Sequence, residues 1–413
     1  MPLIKPFSGL RPAPGRAADV AAPPYDVVGE AEARAMVEGR PWSFLHISRP
    51  EVDLPEGVDP YSAQVYAKAR ENLERMLREG VLVRDPAPCY YVYQLVMGTH
   101  VQTGLVAAAS VRAYDEDRIK KHEFTRPVKE DDRVRQIDAL NAQTGPVFLV
   151  YRSTPSIDQA LARLSEGDPD VDITAGNGVR HRLWSVTGQA DQAELSGDFE
   201  ALPALYVADG HHRSAAASRV AAARRAAAAG GTGEEAHEYF LSVIFPHSQM
   251  QILDYNRVVR DLHGMDTETF LRRVGVPFQI EPNPGPVKPR HQGEFGMYLH
   301  GRWYRLVLDG HRIPWDDPVG RLDVSLLQDN LIEPILGIVD PRRDERMDFV
   351  GGIRGLEGLA ERVDRESTAV GFSVCPTRME DLIAVADAGE VMPPKSTWFE
   401  PKLADGLVSH VLD

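Results

Sequence analysis

An α+β fold with mixed sheets is what this sequence predicts. Three observations lead there. Short runs rich in aromatic and β-branched residues alternate irregularly with segments of helical periodicity. Some of those runs follow one another across tight turns, as hairpins do, and others are separated by a helix, as in crossovers. No regular strand–helix alternation persists along the chain, which favours α+β over a doubly wound sheet.

The first 60 residues are rich in proline, and in APPYDVV (Ala22 to Val28) two prolines stiffen the approach to Tyr25 and Asp26. Ser62 to Gly80 reads as a helix, with Tyr66, Ala69, Leu73, Met76 and Leu77 at three- and four-residue spacing and Gly80 closing it. CYYVYQLVM (Cys89 to Met97) and HVQTGLVAAASVRAY (His100 to Tyr114) read as two strands, antiparallel across Gly98 and Thr99. Pro127 to Thr144 is a helix with Val134, Ile137 and Leu140 inward, and PVFLVY returns as a buried strand. Pro155 to Glu166 is a short helix and HRLWSVT a strand. LPALYVA (Leu202 to Ala208) is a strand, Ser214 to Ala229 a helix of strong propensity, and Glu238 to Pro246 another buried strand. Residues 264 to 310 look like a small α+β insertion, with a helix from Asp266, a proline-rich loop and a hairpin FGMYLHGRWYRLVL. The tail holds a helix from Arg321, a glycine-rich stretch from Phe349 to Val363, a strand TAVGFSVCP and a helix from Thr377.

At 413 residues the chain exceeds one typical domain of about 100–200 residues, so two or three are expected. The segments 1–260, 261–320 and 321–413 are the natural divisions, the last packing back on the first. Net charge is −15, which argues against nucleic acid as a main partner. Only two cysteines occur, Cys89 and Cys375, so no disulfide scaffold is expected and a reducing, cytoplasmic setting fits. The N-terminus lacks the apolar core of a signal peptide, and no run approaches the ~18 apolar residues of a membrane span. A soluble protein, with oligomerisation left open, is the expectation.

Chemistry concentrates in ADGHHR. A strand ends near Ala208 and a helix begins near Ser214, so the intervening residues sit at a helix N-terminus, where free N–H groups and the macrodipole favour an anion. Gly210 allows close backbone approach, His211 and His212 add donors, and Arg213 can fork onto phosphate oxygens. Asp209 is out of place beside a phosphate unless it binds a cation or takes a proton. The set suggests phosphate plus Mg2+, with Asp209 as metal ligand and an acid–base group nearby. Against this stands the plain reading of a capped turn with exposed histidines. Zinc is a further reading, although adjacent histidines do not have ligand spacing and His122 or His237 would have to join in space. In KKHEFTRP (Lys120 to Pro127), Glu123 is a candidate general base or Mg2+ ligand, beside His122 and Arg126; a solvated helix start is the equal alternative. In MPPKSTWFEPK (Met392 to Lys402), Lys395, Ser396 and Thr397 offer an ammonium and two hydroxyls, without the glycines of a P-loop. GGIRG is a weak signal. Tyr25 and Asp26 are candidates to line a pocket.

PPYDVV, KHEFTRPVKEDDR, ADGHHRSAAA and MPPKSTWFEPKLADGLV, in this order, resemble a bacterial and archaeal family catalogued as domain of unknown function 1015, from Pro23 to about Val408. DGHHR before an alanine-bearing helix is also similar to the phosphate-binding signature of the ParB/sulfiredoxin fold. That resemblance implies a nucleotide-binding core of this kind, with additional α+β elements. Sulfiredoxin's reactive cysteine has no counterpart near His211, and nothing here resembles the DNA-binding helix-turn-helix of ParB. The free-serine kinase branch fits best. It implies that Asp209, His211, His212 and Arg213 hold nucleotide phosphates and Mg2+, with Glu123 the base.

The function expected is therefore a small-molecule kinase. ATP or ADP donates a phosphoryl group to the hydroxyl of free serine or a related metabolite, Lys395 clamps the moving group, and Arg126 holds the acceptor's carboxylate. Tyr25, Asp26 and His122 belong to the acceptor side. The alternatives are a non-catalytic nucleotide-binding regulator and a metal-dependent hydrolase.

Overall fold

Apolar runs and their punctuation account for most of the elements in the computed structural model, which describes residues 1–227, 233–366 and 369–413. The chain forms two units, Met1–Met250 with Pro401–Asp413, and Gln251–Glu400. The content is α+β, with both parallel and antiparallel pairing.

In the first unit the strands, in chain order, are β1 (Ile4–Lys5), β2 (Tyr90–Met97), β3 (His100–Ser110), β4 (Ile119–Lys120), β5 (Val147–Tyr151), β6 (Val171–Thr174), β7 (Arg180–Val186), β8 (Leu205–Asp209) and β9 (Tyr239–Pro246). They form one sheet in the order β4-β8-β5-β9-β3-β2-β7-β6, with β1 beside β3. The β2–β3 hairpin is the expected one, with Gly98 at φ +59° in its turn. The strand expected to run to Tyr114 stops at Ser110, whose side chain accepts from the Ala113 N–H and starts a helical turn over Val111–Asp115.

The main helices of this unit are α1 (Ala63–Arg78), α2 (Pro127–Leu140), α3 (Pro155–Leu164), α4 (Gln189–Glu200) and α5 (His211–Ala227). Helix α2 ends four residues earlier than expected, because Asn141 adopts the left-handed conformation and Ala142–Gln143 then pairs with His410–Val411. Helix α4 was not legible in the sequence: in QADQAELSGDFE only Leu195 and Phe199 carry its buried face, one turn apart. The expected end of α5 near Ala229 lies outside the described residues. Its start is three residues earlier than expected, so His211, His212 and Arg213 form its first turn rather than a loop before it. Two apolar clusters hold most of the buried apolar residues described in this unit. One joins the sheet to α3, α4 and α5, and the other joins α1 to the N-terminal segments through Phe44, Leu73 and Met76.

In the second unit, β10 (Tyr255–Val259), β11 (Phe278–Asn283), β12 (Glu294–Leu299), β13 (Arg302–Leu308), β14 (Met347–Gly351) and β15 (Val370–Ser373) form an antiparallel sheet in the order β11-β13-β12-β15-β10-β14. Helices α6 (Thr267–Val274), α7 (Gly355–Asp364) and α8 (Met379–Asp387) accompany it. Segment 261–320 supplies three of those six strands, and the flanking chain supplies the rest. The divisions between units thus fall at Gln251 and Glu400 rather than at residues 260 and 320. The glycine-rich stretch from Phe349 to Val363 is the end of β14, a tight turn and most of helix α7. Among the described residues no helix is long and apolar enough to cross a membrane. Both cysteines are free.

Candidate functional site

Strand β8 ends with a β-bulge. Val207 opposes Leu149, but Asp209 opposes Phe148, so Ala208 is the extra residue. A bulge re-aims the next side chain, and here that side chain is the Asp209 carboxylate. Gly210 follows at φ +94°, a conformation that disfavours any residue with a Cβ. Its carbonyl accepts from the N–H of Arg213 and of Ser214, which closes the first turn of α5. The N–H groups before them lie outside the helical ladder, as at any helix start. Gly210→Ala is therefore expected to cost about 1–2 kcal/mol in a urea titration, from backbone strain alone, because the added Cβ would meet nothing closer than 3.4 Å.

The segment KKHEFTRP reaches the same place through topology. Strand β4 runs parallel to β8, with Leu205 opposite Ile119 and Tyr206 opposite Lys120. The two strands end on the same edge, so His122 and Glu123 emerge beside His211. The imidazoles of His122 and His211 meet edge to face at 4.5 Å. Both are buried, which pulls His122 down to about 4 and His211 well below its ordinary value. Both are thus neutral at pH 7. His211 Nε2 and His122 Nδ1 have no hydrogen-bond partner in the protein. Glu123 Oε2 lies 3.7 Å from His211 Nδ1, with its own side chain half exposed.

His212 is engaged differently. Its Nε2 accepts the backbone N–H of Arg126 at 3.0 Å, which ties the start of α5 to the entry of α2. The Arg126 side chain is exposed. Arg213 is also engaged within the protein. It donates to the Pro146 carbonyl at 2.8 Å and to both oxygens of Asp26 at 3.2 and 3.3 Å, and its guanidinium lies 5.4 Å from the Tyr25 ring centre. Arg133 covers that ring as well, at 3.8 Å. The Tyr25–Asp26 turn is thus held by two arginines. The fork expected to grip a phosphate is closed on a carboxylate of the protein's own.

The cation at Asp209 is instead Lys402, whose Nζ donates to Asp209 Oδ2 at 2.9 Å. Burial would raise the Asp209 carboxyl, but Lys402 and Arg213 outweigh it and hold it well below the carboxylate range. Asp405 has the opposite balance: burial pushes it up to about 7, although Arg213 pulls the other way. Below the helix start, Tyr25, Ser48, Arg133, Gln136, Arg213 and Asp405 line a cavity of 30 Å³, about the volume of one water. Ser48 Oγ, Arg213 Nε and Asp405 Oδ1 are without protein hydrogen bonds there.

The sequence reading missed Lys402, Asp405 and Arg133. One signal for Asp405 was available. Ala-Asp-Gly occurs at 208–210 and again at 404–406, and both glycines have positive φ, +94° and +87°. Lys395, Ser396 and Thr397 belong to the second unit. Ser396 is buried, and its hydroxyl donates to the Pro393 carbonyl at 2.6 Å, so it shapes its own turn. Among the described residues no three His, Cys, Asp or Glu side chains are grouped to hold a metal ion. A Mg2+ bound also by phosphate oxygens needs only one or two carboxylates, which Asp209 fits through the oxygen not given to Lys402.

These features define an α+β protein in which the Asp209–Lys402 pair and the unpartnered ring nitrogens of His122 and His211 lie at one strand-to-helix junction. The chain belongs to the family described as Protein of unknown function (DUF1015), whose model matches residues 4–325. Comparison with curated proteins found no match. Among solved structures, a conserved hypothetical protein from Pyrococcus furiosus is similar at TM-score 0.35 and 13% identity, over 73% of this chain and 94% of that one. SbnI with C-terminal truncation from Staphylococcus aureus is similar at 0.36 and 12%, over 73% and 85%. A free serine kinase in complex with AMP is similar at 0.35 and 12%, over 71% and 86%.

Proposed function

We propose that the β8–α5 junction binds the phosphates of a nucleotide and that the protein is a small-molecule kinase, transferring a phosphoryl group from ATP or ADP to a metabolite hydroxyl. The observation that carries the reading is the Asp209–Lys402 pair set against the open first turn of α5. An ammonium and free helix N–H groups there face a carboxylate that is kept ionised. Lys402 and the His211 and His212 N–H groups hold phosphate oxygens. Asp209 orients Lys402 and is the residue that would hold Mg2+, which neutralises phosphate charge when bound. Neutral His122 and His211 add donor capacity without a second full charge. Half-exposed Glu123 is the candidate base for the acceptor hydroxyl, and exposed Arg126 the candidate contact for an acceptor carboxylate. Arg213, His212, Tyr25 and Asp26 are positioning residues in this reading.

A regulatory reading has one observation in its favour. His212 and Arg213 tie the start of α5 to the Arg126 and Asp26 segments, so a phosphate arriving there competes for those ties.

The test is a phosphoryl-transfer screen with ATP or ADP, Mg2+ and a panel of hydroxyl metabolites led by L-serine, read by mass spectrometry. A phosphorylated product with wild type, lost in Glu123→Gln while nucleotide affinity is kept, is the expected result. Bound nucleotide with no product from any acceptor would replace the kinase with the regulator.

A further inference from the structure

The second unit holds a cation that the protein itself does not neutralise. Arg257, on β10, is 3% exposed, and it is the only arginine or lysine among the fully buried described residues. No carboxylate pairs with it among those residues. Its guanidinium donates to the backbone carbonyls of Tyr255 and, at 3.4 Å, of Pro394, so at most two of its five N–H donors meet a protein acceptor. Phe349 lies beside it, 5.6 Å from ring centre to guanidinium carbon. Burial alone pulls Arg257 down to about 9. A buried charge without a counter-charge is strongly unfavourable, and in a chain of net charge −15 carboxylates are not scarce. The exception therefore needs a reason.

A second cation stands close by. Pro394 leads into Lys395, a non-glycine residue at φ +57°, where the left-handed conformation stores strain. The turn is fixed on both sides, by Ser396 Oγ to the Pro393 carbonyl and by Thr377 Oγ1 to the Ser396 carbonyl at 2.8 Å. The Lys395 ammonium is 5.4 Å from the Tyr255 ring centre. Tyr255 and Arg257 are two residues apart on one strand and so share a face of the sheet. The strained turn thus carries an exposed lysine to the face where the unpaired arginine lies.

We propose that Arg257 and Lys395 form a second anion site, within the 251–400 unit, that takes a phosphate group, free or carried as a monoester. Guanidinium and ammonium together supply two charges and several N–H donors to one phosphate. The site does not depend on the reading of the β8–α5 junction.

The experiment is calorimetric titration of the full chain with inorganic phosphate and, separately, phenyl phosphate, with acetate as control. It is run in a Lys402→Met background, so that any phosphate binding at the first junction is weakened. The expected result is one phosphate site whose affinity falls at least tenfold in Arg257→Met and several-fold in Lys395→Met. Binding of inorganic phosphate alone identifies a free-ion site, and tighter binding of phenyl phosphate identifies a monoester site. Phosphate binding unchanged by Arg257→Met, or absent from the parent, overturns the proposal. Should Arg257→Met fail to fold, the exposed Lys395→Met decides: unchanged affinity there overturns it equally.

Discussion

Lys402→Met is expected to abolish turnover and to weaken nucleotide binding by about 10- to 100-fold, the range for losing a hydrogen bond made by a charged donor. The reason is local. Lys402 is the cation on Asp209, and without it an ionised carboxylate is left at the mouth of the proposed phosphate site. The phosphate then meets repulsion where it met attraction. The fold pays a smaller cost, about 1–3 kcal/mol, because the pair is neither sealed nor fully in solvent. Asp209→Asn added to Lys402→Met should recover most of that stability and none of the binding, since it removes the orphaned charge without restoring the cation. Lys402→Arg should keep part of both. Urea titration and calorimetry separate the two effects. Normal nucleotide affinity in Lys402→Met would remove Lys402 from the site.

Acid should destabilise the first unit through its buried histidines. His122, His181 and His410 are buried in it, and burial pulls each down to about 4; His211 is lowered by the same cause. Between pH 6.5 and 4 the unfolded chain takes up protons on these imidazoles and the folded chain does not. Stability is therefore complete above about pH 6.5 and falls as the pH drops, by about 3 kcal/mol per group across that window. Asp405 works in the opposite sense. Raised to about 7, it binds its proton in the folded state first and returns about 3 kcal/mol over the same descent. Three or four histidines against one aspartate leave a net loss comparable with the whole stability of a domain. Thermal melts at pH 7.5, 6.5, 5.5 and 4.5 should show a steep fall in Tm below pH 6.5. A flat profile would mean that these imidazoles take up protons in the folded state.

The junction was legible in the sequence because strand and helix signals flank it at close range. LYVA is an unbroken apolar run, the alanine-rich helix follows, and Asp-Gly between them announces a turn. What the side chains do there was not legible. Arg213 looked free to fork onto a phosphate, but its partner Asp26 lies 187 residues away in sequence and no local pattern predicts that contact. Lys402 reaches Asp209 across 193 residues, through the return of the C-terminal segment to the first sheet. His212 was read as a donor to phosphate; its Nε2 accepts the Arg126 N–H, a contact made by tertiary packing of α5 near the entry of α2. Local periodicity finds elements; it does not find which charges fold against one another. Helix α4 escaped for a different reason, since two apolar residues in twelve give too little periodic signal.

The most direct test of the central claim is a crystal structure of the protein with ADP and Mg2+. The account predicts phosphate oxygens within hydrogen-bond reach of the His211 and His212 N–H groups and of Lys402 Nζ, with Asp209 facing the metal. ADP bound elsewhere on the chain, with the first turn of α5 untouched, would contradict it.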